Sequence, residues 1–325
     1  MKAFLTSAYN NYKTNPASWL KSKSISGLNI CTNDPEEADV IIFVESHPGN
    51  DPYFRTVFNN SIYKKYKNKC VLYHDADLSI TPMPTISPSI ELWQYNPKHK
   101  RSVHYIARAF ENETIENADV NYKTDRDYLY SFIGSKTHAI RNKIIRANHP
   151  PNTFVKDTTG LNAWEMASDK KLEYEKEFHH VMKESFFVLC PRGIGPCSYR
   201  LFETMQLGRV PVIISDQWVE IPDIEWNKIS IRVEEGMVQQ LPEILNERKK
   251  DAIEMGKNAR KCWENFFSPE VSLEKIATSA FNLVGNGYST GDSIGDYMQF
   301  LKSPWHLKNL FRYQKNKLKR NLRGF

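Results

Sequence analysis

The sequence predicts an α/β protein made of two doubly wound halves that face each other across a cleft. Three observations lead to this prediction. Short apolar runs suited to parallel strands recur along the chain, helical patterns follow them, and a polar, acidic stretch at 112–127 divides the alternation in two. With 325 residues, 40% of them hydrophobic and 25% charged, the chain has the length for two domains and the composition of a globular protein.

The first half is organised around one strongly apolar strand. The run Val40-Ile-Ile-Phe-Val44 contains no polar residue, as expected for a strand buried on both faces, and 2–7 and 70–73 predict its neighbours. Residues 54–66 carry apolar side chains at helical spacing. The proline-rich stretch 81–97 predicts a loop that borders the cleft.

The second half repeats this alternation, although no sequence repeat is detectable. Strands are predicted at 128–133, 153–155, 186–189, 210–214 and 228–233. Helices are predicted at 137–147, 172–184, 199–207, 238–246, 251–267 and 271–284.

The most informative segment is a glycine-rich loop that joins a strand of the second half to a helix. Gly193 and Gly195 require a turn, Ser198 is the predicted N-cap, and Gly208 ends the helix as its C′ residue. Unpaired backbone N–H groups and the positive end of the helix dipole converge at such a place. The segment therefore predicts an anion-binding site.

Two charged side chains on this helix suggest what the site binds. Arg200 lies in the first helical turn, where a cation opposes the helix dipole unless an anionic ligand sits between them. Glu203 follows on the same face and could accept hydrogen bonds from a sugar diol. By spacing alone an ordinary Arg–Glu surface pair is the favoured interpretation.

Two blocks of sequence together change that balance. The first contains Cys190-Pro-Arg-Gly193, then Arg200 with Glu203, then Gly208-Arg-Val-Pro-Val-Ile-Ile214. The second, Tyr128 to Arg141, combines a strand, a glycine and an arginine. In this order they resemble the signature of the exostosin glycosyltransferases, family GT47. The resemblance is strong in the second half and weak before residue 120.

The resemblance implies a GT-B fold, in which two Rossmann-like domains face an interdomain cleft. We accordingly expect an acceptor domain at 1–120, a nucleotide-sugar (donor) domain at 121–290, and a basic amphipathic C-terminal helix at 291–325. The implied activity is inverting transfer of a sugar, most simply from a UDP-sugar, to a glycan, polysaccharide or lipid-linked oligosaccharide. The alternatives are a GDP-sugar donor, as in fucosyltransferases, and a non-catalytic relative that binds nucleotide or glycan.

The predicted donor site combines two loops with the helix that follows the second loop. Its residues are Gly134, Ser135, Arg141, Arg192, Gly193, Ser198, Tyr199, Arg200 and Glu203. Arg141 and Arg200 would clamp the diphosphate, because a guanidinium binds phosphate oxygens in bidentate fashion. By pattern alone a solvated helix residue is an equally good interpretation of Arg141, and the resemblance favours the clamp. With arginines in that role we expect neither a metal nor a cofactor besides the nucleotide-sugar.

The general base that inversion requires should come from the first half, at the carboxyl end of a strand. Glu45 is the first candidate and Asp77 the second. A structural role in a turn is as good an interpretation for either carboxylate. His74, Asp75 and Asp77 together would also suit a metal phosphoesterase, but no further ligand cluster in the sequence supports that function.

The C-terminal tail carries the basic character of the chain. Eight lysines and arginines and no acid follow Asp296, and they exceed the net charge of +6, so the remainder is slightly acidic. This distribution argues against nucleic acid as a partner of the main body, and we expect none. After Ser303-Pro304 an apolar stripe opposes the basic face and predicts contact with an anionic membrane; it comprises Leu307, Phe311, Leu318, Leu322 and Phe325. The alternative is a C-terminal helix that crosses back onto the first domain.

The expected compartment is the cytoplasm, with the protein peripheral on the membrane. The opening residues show no apolar run of signal-peptide length. Five cysteines, an odd number without metal-ligand spacing, suit reduced thiols better than a disulfide framework.

Overall fold

The structure is a computed structural model that describes the chain except residues 10–14, 26, 47–50, 52, 78–80, 107–112, 117–119, 162–167, 305, 309, 312–313, 316–317 and 319–325. Within the described residues, ten strands form two five-stranded sheets, and every strand pair is parallel. Two parallel sheets with helices packed against them confirm the predicted GT-B architecture.

The first sheet contains the strands in chain order. They are β1 (Ala3–Thr6), β2 (Val40–Glu45), β3 (Cys70–His74), β4 (Thr85–Ser87) and β5 (Lys100–Ser102). The second sheet has the order β10-β9-β8-β6-β7. Its strands are β6 (Tyr128–Gly134), β7 (Thr153–Asp157), β8 (Ser185–Pro191), β9 (Val210–Ile214) and β10 (Ile231–Arg232).

Eleven α-helices are described. They are α1 (Pro16–Lys23), α2 (Arg55–Asn59), α3 (Ser61–Lys65), α4 (Glu113–Glu116), α5 (Ala139–Arg146), α6 (Ser168–Lys183), α7 (Tyr199–Gln206), α8 (Leu241–Arg248), α9 (Ala252–Phe266), α10 (Pro269–Val284) and α11 (Thr290–Lys302). Short 3₁₀ turns connect several of them.

Successive residues of the central strands fill separate cores on the two faces of each sheet. In β2, Ile42 and Val44 belong to one apolar cluster while Ile41 and Phe43 belong to another. All residues of β2, β3, β8 and β9 are buried. The continuous apolar runs of the sequence therefore mark strands that are covered on both sides.

The structure corrects two local predictions in the first half. The single helix predicted over 54–66 is two short helices, because Asn60 is extended and its side chain caps α3 by accepting the Ile62 N–H at 2.9 Å. The predicted loop at 81–97 contains β4, which pairs with β3 and β5. The flanking prolines masked this strand, because it is only three residues long.

A further correction concerns α10, which the sequence placed in the donor domain. Its buried residues Leu273, Ile276 and Ala277 belong to the same core as β1 and β2. The helix therefore crosses from the second half back onto the first sheet. The division at 120 and 290 otherwise stays a prediction.

The two halves are joined directly beside the glycine-rich loop. Glu91 and Trp218 form an antiparallel backbone bridge, and the Leu92 N–H donates to the carbonyl oxygen of Gln217 at 2.9 Å. Arg101 forms an ion pair with Asp223 across the same junction at 2.8 Å. These contacts hold the first half against the carboxyl ends of the second sheet, where the predicted site lies.

Candidate active site

The glycine-rich loop and the start of α7 have the geometry that the sequence predicted. Ser198 is the N-cap in extended conformation, but its side chain makes no capping hydrogen bond. Gly208 follows the helix with φ of +65°, a conformation that favours glycine. The first N–H groups of α7 are thus left uncapped by Ser198.

Arg200 is buried at this end of the helix with part of its guanidinium unpaired. Its Nη2 donates to the carbonyl oxygen of Ile133, and its guanidinium carbon lies 5.0 Å from the ring centre of Phe132 and 5.3 Å from that of Phe178. Among the described residues, Nε and Nη1 find no hydrogen-bond partner although both are buried. Because buried donors are normally satisfied, two such nitrogens on one guanidinium have the chemistry to bind an anion.

Arg141 stands next to Arg200 and shares its electrostatic environment. Its Nε donates to the carbonyl oxygen of Arg192 at 2.9 Å, and its Nη2 donates to that of Pro191 at 3.2 Å. Burial, and then repulsion by Arg200, lower the pKa of Arg141 to about 10. The Arg141 guanidinium therefore remains charged at neutral pH, and an anion would relieve its repulsion with Arg200.

Two glycines create the space for these arginines. A Cβ at position 134 would lie 3.3 Å from Arg200 Nη2 and 2.9 Å from the Phe132 ring. A Cβ at position 193 would lie 3.2 Å from Arg141 Nη2. Gly134 is followed by the half-buried Ser135, at the end of β6. The predicted site residues of the two loops therefore do come together.

Three predicted donor residues have partners or positions that the sequence did not reveal. Arg192 forms an ion pair of 2.5 Å with Glu91 of the first half. Tyr199 stacks on Tyr105 with ring centres 3.8 Å apart. Glu203 lies buried one turn after Arg200 on α7. Arg192 and Tyr199 thus connect the two halves.

Glu45, the first candidate for the base, is buried in the first half. Its side chain has 0% exposure. One carboxylate oxygen accepts the Ala8 N–H at 2.7 Å and the other accepts the Ser7 hydroxyl at 2.8 Å. The carboxylate therefore holds the loop after β1, and this geometry weighs against contact with an acceptor.

Asp77, the second candidate, faces the second half. A Cβ at position 195 would lie 2.8 Å from its Oδ1, so the glycine-rich loop passes directly over this carboxylate. The negative charge of Asp77 acts to raise the pKa of Arg141, whereas burial and Arg200 lower it. Unlike Glu45, the Asp77 side chain is only partly buried. Asp77 therefore lies beside the glycine-rich loop and within electrostatic reach of Arg141.

No group of three or more His, Cys, Asp or Glu side chains in the described part of the chain is arranged to hold a metal ion. Asp75-Ala-Asp77 is one Asp-x-Asp sequence, and Tyr199 reaches Asp75 Oδ2 at 3.5 Å. A second, Asp125-Arg-Asp127, precedes β6. It therefore lies at the opposite end of that strand from Gly134.

Comparison with known proteins identifies the family. The Exostosin GT47 domain matches residues 42–248, more than half of the chain. The chain belongs to the exostosin GT47 family. Exostosin-1 of Drosophila melanogaster is 24% identical over 282 residues, which are 79% of this chain and 36% of the fly protein. The Caenorhabditis elegans exostosin-1 homolog is 29% identical over 189 residues, covering 53% of this chain and 49% of the worm protein. The chain thus spans only a third to a half of the length of these relatives.

Solved structures similar to this GT47 protein share little sequence with it. HepE of Anabaena, solved in complex with UDP, superposes with a TM-score of 0.42 and 13% identity, covering 86% of this chain and 99% of HepE. TarM gives a TM-score of 0.42 and 14% identity, covering 83% of this chain and 59% of TarM.

A cavity lies beside the glycine-rich loop of this GT47 protein, and the sequence did not predict it. Its volume is about 510 Å³, and it is lined by Glu91, Trp93, Thr137, His138, Arg192, Ile194, Lys302, Ser303, Pro304 and His306. The only sequence signal was the prediction that the loop at 81–97 borders the cleft. Nothing local could have shown that the start of the tail reaches the same place.

The start of the tail packs onto the first half, as the alternative prediction had it. Asp296 on α11 forms a buried ion pair with Lys100 at 2.8 Å, and the Phe300 ring lies 5.5 Å from that of Tyr53. Further along, Phe311 and Leu318 are 73% and 62% exposed. Leu322 and Phe325 of the predicted stripe lie outside the described residues. Over the described residues, every helix is too short or too polar to span a bilayer.

Proposed function

We propose that this GT47 protein is an inverting glycosyltransferase that moves a sugar from a UDP-sugar to a glycan, polysaccharide or lipid-linked acceptor. The observation that carries the proposal is the buried Arg200, whose Nε and Nη1 lack partners among the described residues. It stands beside Arg141 at the uncapped start of α7. Family membership supports the same activity.

In this proposal the diphosphate of the donor binds where the two guanidiniums and the first N–H groups of α7 converge. Charge on the leaving diphosphate grows as the glycosidic bond breaks. Preorganised cations at that position therefore stabilise the transition state more than the ground state. Glu203, on the same helix, would accept hydrogen bonds from the ribose diol of the nucleotide.

Inversion requires a base on the acceptor side, and Asp77 is the better placed of the two candidates. It lies at the glycine-rich loop and in the field of Arg141, whereas Glu45 is occupied by Ser7 and Ala8. In this role Asp77 would take the proton of the acceptor hydroxyl while the leaving group departs from the opposite face of the sugar.

A nucleotide titration tests the proposal. UDP should raise the melting temperature and compete with the donor, and GDP at the same concentration should do neither. A panel of UDP-sugars should then show slow donor hydrolysis with one sugar. If GDP binds instead, the donor belongs to the GDP-sugar class. Tight UDP binding without consumption of any donor would favour the non-catalytic alternative.

Removal of metal is expected to leave the activity intact. Because arginines would neutralise the diphosphate, transfer should survive an excess of EDTA, measured as initial rate before and after chelation. Arg200→Ala, treated in parallel, serves to separate slow background hydrolysis from transfer. Complete loss of activity that Mg²⁺ or Mn²⁺ restores would assign Asp75 and Asp77 to a metal site.

We also propose that the protein works at the cytoplasmic face of a membrane. All five cysteines are free thiols, and burial raises the pKa of Cys190 to about 12, so this thiol stays protonated. The exposed Phe311 and Leu318 stand among lysines and arginines on the tail. An apolar stripe beside basic residues is the pattern of a helix that lies on anionic lipid.

A truncation tests the membrane proposal without disturbing the contacts of α11. Removal of 309–325 deletes six of the eight basic residues of the tail and keeps Asp296, Phe300 and His306. The shortened protein should stay folded, keep its activity on a short acceptor in solution, and no longer sediment with anionic vesicles. Binding of the full chain should weaken as salt rises. Indifference of the full chain to vesicles would leave the tail only a structural role.

A further inference from the structure

We propose that the cavity beside the glycine-rich loop is the acceptor subsite, that it takes an uncharged saccharide ring against Trp93, and that the start of the C-terminal tail forms its outer wall. This inference rests on the glycosyltransferase function proposed above. It assigns to Lys302, Ser303, Pro304 and His306 a role in binding, separate from membrane contact by the segment that follows them.

The position of the cavity is what an acceptor requires. Its lining comes from the first half, from the second half and from the tail. Ile194 lines the cavity, and the next residue, Gly195, lies against the carboxylate of Asp77. A saccharide ring that contacts Ile194 would therefore lie close to Asp77, the proposed base.

Trp93 is held as a fixed aromatic surface. Arg192 Nη2 donates to one oxygen of Glu91 at 2.5 Å, and the Trp93 indole N–H donates to the other oxygen at 2.6 Å. Glu91 and Arg192 are each 7% exposed, while Trp93 keeps 39% exposure. A ring that is oriented in advance and still open to solvent offers an apolar face to the C–H groups of a sugar at little entropic cost.

The charge of the lining argues against a nucleoside diphosphate as the occupant. Arg192 is neutralised by Glu91, and burial together with the Arg192 charge lowers the pKa of His138, so that its imidazole is neutral at pH 7. Burial also lowers the pKa of His306 to about 4. Of the described lining residues, Lys302 alone adds an unbalanced charge. The arginine pair at α7 is the far stronger anion site.

The polar groups that remain suit sugar hydroxyls. His138 caps α5 through Nδ1, which accepts the Ile140 N–H at 3.3 Å, so the neutral ring carries its proton on Nε2. Thr137, Ser303 and Lys302 add hydroxyl and ammonium groups to the lining. An apolar face with a few convergent donors and acceptors is the usual composition of a small-molecule pocket.

The start of the tail is well packed where it lines the cavity. The ring of His306 is 1% exposed, and its centre lies 5.2 Å from that of Phe300 and 6.3 Å from that of Trp93. The His306 N–H donates to the Ser303 hydroxyl at 3.4 Å, and the Leu307 N–H donates to the Ser303 carbonyl at 3.0 Å. These contacts turn the chain at Ser303 and place His306 beside Trp93.

The test uses the full chain and a panel of p-nitrophenyl glycosides of neutral hexoses and N-acetylhexosamines, followed by saturation-transfer NMR. At least one glycoside should bind the wild type through the C–H face of its ring. Trp93→Ala should weaken that binding by about tenfold or more, and Trp93→Phe should restore most of it, because a planar ring returns. Leu92→Ala, at an exposed neighbour outside the cavity, is the matched control.

The tail is tested with two lysines that differ in position. Lys302→Ala should weaken glycoside binding by about two- to tenfold, as expected for one lost hydrogen bond. Lys308→Ala, six residues further along and outside the lining, should leave it unchanged. UDP binding, measured in the same samples, should be unaffected by all of these changes.

Several results would overturn the inference. The first is that no glycoside binds the wild type, and the second is that Trp93→Ala binds as well as the wild type. Equal effects of Lys302→Ala and Lys308→Ala would remove the tail from the cavity. Loss of UDP binding in Trp93→Ala would make the cavity part of the donor site. Glycoside binding with the expected losses but no UDP or GDP binding would instead count against the proposed glycosyltransferase function.

Discussion

Arg200→Ala should lose about 2–4 kcal/mol of transition-state stabilisation, which is a fall of roughly 30- to 10³-fold in kcat/KM. The side chain has two buried nitrogens for which the described residues offer no partner, and it stands where a leaving diphosphate would gain charge. Arg200→Lys should recover only part of the loss, since an ammonium keeps the charge and loses the bidentate geometry.

The controls for Arg200 separate catalysis from folding. Arg146→Ala, on an exposed residue of α5, should leave both the rate and the melting temperature unchanged. Melting curves of the Arg200 variants must show a folded protein at the assay temperature, because the guanidinium also packs on Phe132 and Phe178. Turnover close to normal in a folded Arg200→Ala protein would refute the diphosphate assignment.

Glu203→Gln provides a contrast on the same helix. A contact with the ribose exists in both the ground state and the transition state, so its loss should raise the KM for the donor and leave kcat nearly unchanged. A selective fall in kcat would mean that Glu203 acts on the reacting atoms.

Asp77→Asn should lower kcat by about 10²- to 10⁴-fold while the fold is retained, because an amide cannot take the proton of the acceptor hydroxyl. Donor binding, measured with UDP, should be preserved. The measurement is the initial rate at saturating donor and acceptor. Normal kcat in this variant would remove Asp77 from the reaction.

Glu45→Gln distinguishes the two candidate bases. The Glu45 carboxylate accepts from Ala8 and Ser7, and an amide nitrogen in place of one oxygen would face a donor. We expect a loss of about 1–3 kcal/mol in the free energy of unfolding, with normal kcat for the folded fraction. The opposite result, a stable protein with abolished turnover, would return Glu45 to the role that the sequence first gave it.

The local parts of the site could be predicted from the sequence alone. Strand β8, the glycine turn, α7 with Arg200 in its first turn, and Gly208 at its end were all readable, since each depends on a few neighbouring residues. Continuous apolar runs identified the central strands for the same reason, because burial on both faces leaves no polar position in the run. The pairing of Arg141 with Arg200 came from the family resemblance, not from spacing.

Which of these parts come into contact could not be predicted locally, because it depends on the three-dimensional fold. The strand at 85–87 depends on pairing with β3 and β5, and the break at Asn60 depends on a single helix cap. Helix α10 packs on the first sheet although most of the chain lies between them. The complete burial of Glu45 results from packing with segments that are distant in sequence. The hydrogen bonds that connect Arg192 through Glu91 to Trp93 likewise join the second half to the first. The hydrophobic pattern of a sequence predicts which residues are buried and on which face of a helix or strand they lie. It does not record the partner, because the partner is chosen by chain topology and by the balance of charges that burial brings together.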